Sequence, residues 1–167
     1  MSRPGRIQAG LLLLSLICVE AFATEPGPAS LCDAAQTSYF SCQTARHRTL
    51  SLCGTLPSAL QYRYGTPGKI ELSYPDDAAQ GAQQFAFAHY SRYQTERVEI
   101  SFNRRDADYT VFDYTENGKR SAGVHVSTVA GNSAEIRCAG EIRGTLAPMG
   151  KSLHCDSDSA LNAGQCH

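Results

Sequence analysis

The chain has 167 residues, a formal net charge of −1 and 42% hydrophobic residues, with seven cysteines and no tryptophan. That length bounds it to one domain once a leader is removed, and so neutral a balance argues against nucleic acid or an anionic membrane surface as partner. Many cysteines in a short chain point to an oxidising compartment.

Taken in chain order, Arg3 and Arg6 precede an apolar stretch from Leu11 to Phe22, and Ala21-Phe22-Ala23 has the small-x-small form of a signal-peptidase site. Residues 1–23 therefore read as a signal peptide. The apolar run is shorter than the roughly 20 residues a spanning helix needs, so a retained anchor is the weaker alternative, and no stable membrane insertion is expected after cleavage. Ile17 before Cys18 does not suit lipid attachment, and there is no paired-arginine motif. The mature chain 24–167 carries a charge of −2 once Arg3, Arg6 and Glu20 are gone.

Residues 24–31, with two prolines and a glycine, read as a flexible leader to a single β domain over 32–167. Apolar and aromatic residues alternate over Tyr39–Gln43, Thr49–Cys53, Leu60–Tyr64 and Lys69–Tyr74, the period of half-buried strands. Asp76–Gln84 is small and polar and reads as a loop. Strands are then expected over Phe85–Tyr90, Arg97–Phe102, Tyr109–Tyr114, Gly123–Thr128 and Ala134–Cys138, with turn chemistry between them. Ser157 or Asp158 is placed to cap a short helical turn. Short, evenly spaced strands predict an all-β, small antiparallel sandwich or barrel.

The mature cysteines are Cys32, Cys42, Cys53, Cys138, Cys155 and Cys166. An even number in an exported chain argues for three disulfides, although sequence alone leaves many connectivities open. Matched positions about the expected first hairpin favour Cys42 with Cys53, and a short loop favours Cys155 with Cys166. Cys32 would then reach Cys138.

The strings Phe40-Ser-Cys42, Ser51-Leu-Cys-Gly54, Leu60-Gln-Tyr-Arg-Tyr-Gly65, Glu71-Leu-Ser-Tyr-Pro75 and Thr110-Val-Phe-Asp-Tyr114 resemble a family of small exported bacterial proteins to which no activity is assigned. The likeness runs from about Cys32 to Cys166; it implies an envelope setting and transfers no catalytic residue. The chain also resembles, over less of its length, periplasmic inhibitors of C-type lysozyme, small β barrels that open with an aromatic-x-Cys strand. Tyr114-Thr-Glu-Asn-Gly118 fits their Tyr-Thr-x-x-Gly loop, whereas their Ser-Gly-x-Gly-Ala-x-Tyr loop has no counterpart, since Ser121-Ala-Gly123 lacks its spacing.

Candidate chemistry is sparse. Bridged cysteines leave no thiolate nucleophile, and no Gly-x-Ser-x-Gly elbow exists. Asp76, Asp77, Asp106, Asp108 and Asp113 are candidates for paired acid–base work on a sugar bond, all but Asp113 in turns. His154, Asp156, Asp158 and His167 surround Cys155, but Leu161 and His167 stand where a calcium loop needs glycine and glutamate, so no metal or other cofactor is expected. Tyr90, Arg92, Tyr93 and Arg97 make an aromatic–basic cluster around one bend. Arg104, Arg105, Lys119 and Arg120 sit at two turns expected at one end of the sheet, beside Tyr114, Glu116 and Asn117. That patch suits an acidic partner groove.

The composite expectation is a non-catalytic periplasmic or secreted protein with a protein partner in the envelope, in its most concrete form an inhibitor of an envelope-degrading hydrolase. The alternatives are an enzyme acting on glycan or peptidoglycan through acidic side chains, and a structural or assembly factor of the envelope.

Overall fold

A computed structural model describes residues 30–166. The expected signal peptide 1–23, most of the expected leader 24–31 and His167 lie outside the described residues. Strand makes up 58% and helix 11%, so the fold is all-β. The strands are β1 (Thr37–Thr44), β2 (Thr49–Thr55), β3 (Ala59–Thr66), β4 (Lys69–Tyr74), β5 (Ala86–Arg92), β6 (Thr95–Arg104), β7 (Ala107–Glu116), β8 (Lys119–Thr128), β9 (Ser133–Gly144) and β10 (His154–Cys155). They form one sheet in the order β10-β5-β6-β7-β8-β9-β1-β2-β3-β4. It curls into a half-barrel, antiparallel except where β10 runs parallel to β5.

The period-2 pattern decides which face turns inward. Val98, Ile100 and Phe102 of β6, Val111 of β7 and Val124 of β8 point into the curl, where they meet Phe40, Leu50, Leu52, Leu60 and Tyr62. Aromatic contacts join the two halves across the interior: Tyr74 stacks on Phe102 at 4.7 Å, and Tyr62 tilts against the same ring at 5.1 Å. Leu146 and Met149, buried on either side of the start of a short 3-10 turn over Ala147–Lys151, add to that core.

Some expectations need correcting. The segment from Ala78 to Gln84, read as loop, is a 3-10 turn that packs on β3, started by the Asp77 carboxylate accepting from the Ala79 N–H at 2.9 Å. Gly81 permits the close approach, since a Cβ there would lie 1.6 Å from the Leu60 carbonyl oxygen. Strand β9 continues past Cys138 to Gly144 because it changes partner, pairing with β8 up to Arg137 and with β1 from Cys138 onward. The helical turn after Asp156 forms at Ala160–Asn162, with Ser159 rather than Ser157 or Asp158 as its cap.

The disulfides also pair differently, being Cys32–Cys53, Cys42–Cys138 and Cys155–Cys166. Only the last matches the sequence expectation. In the β1–β2 register Cys42 lies opposite Leu50 and Cys53 opposite Ser38, so the two thiols are rows apart. Cys42 instead meets Cys138 across the β1–β9 pair, where the register shifts between Cys42 and Thr44.

Two terminal arms lie on the outer face of the sheet. Leu31 is buried: its N–H donates to Ser51 Oγ at 3.0 Å and its carbonyl accepts from Arg63 at 2.7 Å. The leader's last residue is thus part of the folded body. Arg63 also pairs with Asp33 at 2.8 Å and holds that carboxyl below its usual range, by hydrogen bond first and charge second. The C-terminal arm follows β10 and lies over β5 and β6. Asn162 accepts from the His89 N–H at 3.1 Å and donates to the carbonyls of Asp156 and Phe87 at 2.8 and 3.2 Å.

Candidate functional site

Strands β5 to β8 form a ladder of hairpins in unbroken register. Each turn spans two residues, Tyr93–Gln94, Arg105–Asp106 and Asn117–Gly118. Consecutive antiparallel hairpins turn at opposite ends, so the first and third share one end and the second lies at the other. Arg104 and Arg105 are therefore separated from Lys119 and Arg120 by the length of ten-residue β7, about 30 Å. The expected single basic patch does not exist; it is two separate features.

The end holding Tyr93 and Asn117 is tied together. The Asn117 N–H donates to the Gln94 carbonyl at 2.8 Å, fixing the two turns side by side. Asn117 and Gly118 have φ of 49° and 75°, as a type I′ turn demands, and Gln94 holds the left-handed region at 56°. Arg97 pairs with Glu116 through Nε at 2.7 Å and lies 5.4 Å over the Tyr114 ring. What this twin tip presents outward is Tyr93, 88% exposed, with exposed Arg92 and Lys119, neither of which makes an ion pair among the described residues. At the opposite end, Arg105 is exposed and the Val129 N–H donates to the Asp106 carbonyl at 3.1 Å.

Asp113 is not a free strand acid. Its side chain is 5% exposed, and it accepts both Nε and Nη2 of Arg120, at 2.7 and 2.8 Å. The same Nη2 reaches the Gly144 carbonyl at 2.7 Å, so the pair joins the β7–β8 hairpin to the end of β9. A fork of this kind satisfies the buried carboxylate and occupies Arg120.

A second feature lies on the outer face, between strands β5–β7 and the C-terminal arm. It is an open groove of about 620 Å³. Its lining mixes hydroxyls and amides (Ser101, Asn103, Thr110, Gln84) with carboxylates (Glu99, Asp108) and the arm's own Asp156 and Asp158. The acids nearest the arm are hydrogen-bonded: Asp156 accepts from Ser101 Oγ at 2.5 Å, and Glu99 accepts from Ser159 Oγ at 3.3 Å and from the Tyr114 hydroxyl. Burial first, and the Glu99 hydrogen bond second, push the Tyr114 phenol well above its usual pKa.

No family model, curated protein or solved structure matches this chain. The resemblances drawn above rest on the quoted residues alone.

Each sequence candidate now has a place. Tyr114, Glu116 and Arg120 spend their polar groups inside the protein, on Glu99, Arg97 and Asp113. Asn117 and Lys119 stand exposed at the twin tip, together with Arg92 and Tyr93 of the bend cluster, while Arg104 and Arg105 lie at the other end. Among the described residues no group of three His, Cys, Asp or Glu converges as metal ligands would; His154 lines the groove and Cys155 is bridged. Sequence reading missed the groove, because its walls come from residues some 55 positions apart, Ser101 and Asp156. It also missed that the two turn motifs touch, although the two-residue hairpin spacing carried that information.

Proposed function

We propose that this is a non-catalytic binding protein of the bacterial periplasm or exterior, which grips a protein partner with the twin tip and inhibits an envelope-degrading hydrolase. The observation that carries the reading is Tyr93, 88% exposed on a turn whose neighbour is hydrogen-bonded to it. An aromatic ring left in water on a fixed backbone gains contact area on binding at little cost in conformational freedom. Arg92 and Lys119 flank it and favour an acidic cleft, as hydrolases of glycans possess. The signal-like N-terminal sequence, three disulfides and the likeness of Tyr114–Gly118 to a lysozyme-inhibitor loop support the same assignment. No helix among the described residues is long and apolar enough to cross a membrane.

The test is inhibition of purified C-type lysozyme and other envelope hydrolases by the full protein with its disulfides formed. Near-stoichiometric loss of hydrolase activity is expected, with Tyr93→Ala and Lys119→Glu each weakening it about tenfold or more, a loss of roughly 1.4 kcal/mol or above. Arg104→Glu/Arg105→Glu, at the far end, should leave inhibition unchanged. Equal inhibition by all three variants would sink the assignment to the tip. A second reading, an enzyme acting on glycan, draws on the acid-lined groove. Turnover of peptidoglycan by the isolated protein, abolished by Glu99→Gln, would favour it instead.

A further inference from the structure

We infer that the groove beneath the C-terminal arm is an oligosaccharide site, selective for neutral or amine-bearing sugars over acidic ones. The inference is independent of the twin tip, from which it differs in residues and in ligand class. The geometry is built rather than incidental. One wall is the outer face of β5–β7, the other is the arm, closed by Cys155–Cys166 and held to β5 by Asn162, which accepts from the His89 N–H and donates to the Phe87 carbonyl. At about 620 Å³ the groove lies within the range of ligand sites.

Its chemistry selects the ligand. Apolar side chains are scarce, and those present are mainly the methyls of Ala86 and Ala160 and part of Phe102, so nothing there anchors a hydrophobic side chain of a peptide. Hydroxyls, side-chain amides and carboxylates alternate instead, a set that both donates to and accepts from sugar hydroxyls. Four carboxylates line the groove, and His154 is its sole basic group. Like charge therefore excludes uronates and sialylated chains, and an amino group is accommodated.

Titration of the disulfide-intact protein, followed by amide chemical shifts, tests the site. The probes are N-acetylated chito-oligosaccharides, their deacetylated forms and oligogalacturonate as the acidic control. Saturable shifts are expected for the first two, centred on Ala86, Ser101, Thr110 and Ser157, and none for the third. Ser157→Trp, which fills the groove from an exposed arm position, should weaken binding about tenfold or more. It is a surface change, and an unchanged spectrum elsewhere will show that the variant folds. Tyr93→Ala should bind sugar as the parent does while losing hydrolase inhibition, which keeps the two sites apart. Absence of saturable shifts with either chito-oligosaccharide, or equal binding by the Ser157→Trp protein, overturns the inference.

Discussion

Both ends of the described chain lie as arms on the outer face of the half-barrel, yet they are attached by opposite means. The N-terminal arm is fastened to the sheet itself, through Cys32–Cys53 into β2, and drives Leu31 into a buried site. Beneath it, Ser41 and Ser51 satisfy each other at 2.9 Å, and the outer face of β2 is closed to water. The C-terminal arm's disulfide ties its end only to the two-residue edge strand β10, Cys155 to Cys166 over a separation of 11. It meets the ladder through polar groups, Asp156 on Ser101 and Ser159 on Glu99. One arm seals its face and the other leaves a groove. Apolar burial expels solvent and fixes structure, whereas a polar lid can hold a shape and still leave room for a ligand.

The largest expected difference between the arms concerns their sulfur bridges. Replacing Cys32 and Cys53 by serine removes a link across 21 residues and exposes the face under Leu31, so about 3–5 kcal/mol of global stability should be lost. The matching change at Cys155 and Cys166 should cost the whole molecule under about 1 kcal/mol, because the arm can detach with the short edge strand β10 without unfolding the rest of the sheet. Urea unfolding of oxidised proteins measures both. Equal losses would mean that the C-terminal arm is as integral as the N-terminal one.

Next in size is Leu31→Ala, which leaves a cavity beneath the N-terminal arm and should cost about 2–3 kcal/mol in the same assay. Its counterpart is Asn162→Ala. Four hydrogen bonds to β5, β10 and the arm vanish, but at a partly exposed site, so about 1 kcal/mol is expected. Hydrogen exchange should then quicken at His89, whose N–H loses its acceptor, while the amides of β2 stay protected. Uniform acceleration over both would contradict separate arms.

The contrast also accounts for what sequence could reveal. The ladder β5–β8 was legible: alternation placed every strand, and Asn117-Gly118 announced its turn, because register there depends only on local pattern and turn type. Of the cysteine pairs, only Cys155–Cys166, across its short loop, was legible; Cys42 meets Cys138 through a bulge that shifts rows, which no hairpin-matching argument anticipates. Leu31 looked like leader because its partners, Ser51 and Arg63, are 20 and 32 residues away. Asp113 was recognised as unlike the turn acids, but its partner Arg120 looked like a free surface cation. Pairs on adjacent strands across a short turn hide in this way, each residue appearing ordinary until the register is known.

The mildest test uses alkali. Tyr62, in the core beside the N-terminal half, and Tyr114, hydrogen-bonded toward the C-terminal arm, both have phenols held above the ordinary value of 10.0, in each case by burial first. A raised folded-state pKa means that the folded protein keeps its proton where the unfolded chain would lose it. The stability this contributes is whole below about pH 10 and is lost as pH climbs beyond. Tyr114 is the more accessible and depends on Glu99, which also holds Ser159 of the arm. Its ionisation should therefore begin with local opening of the groove, seen as altered amide shifts at Ser159 and Ala160 before the fold melts. Tyr62 should ionise only with global unfolding. If a Tyr114→Phe protein shows the same alkaline arm opening, the phenol is not what couples groove to ladder, and the contacts of Asp156, Ser159 and Asn162 would have to hold the arm without it.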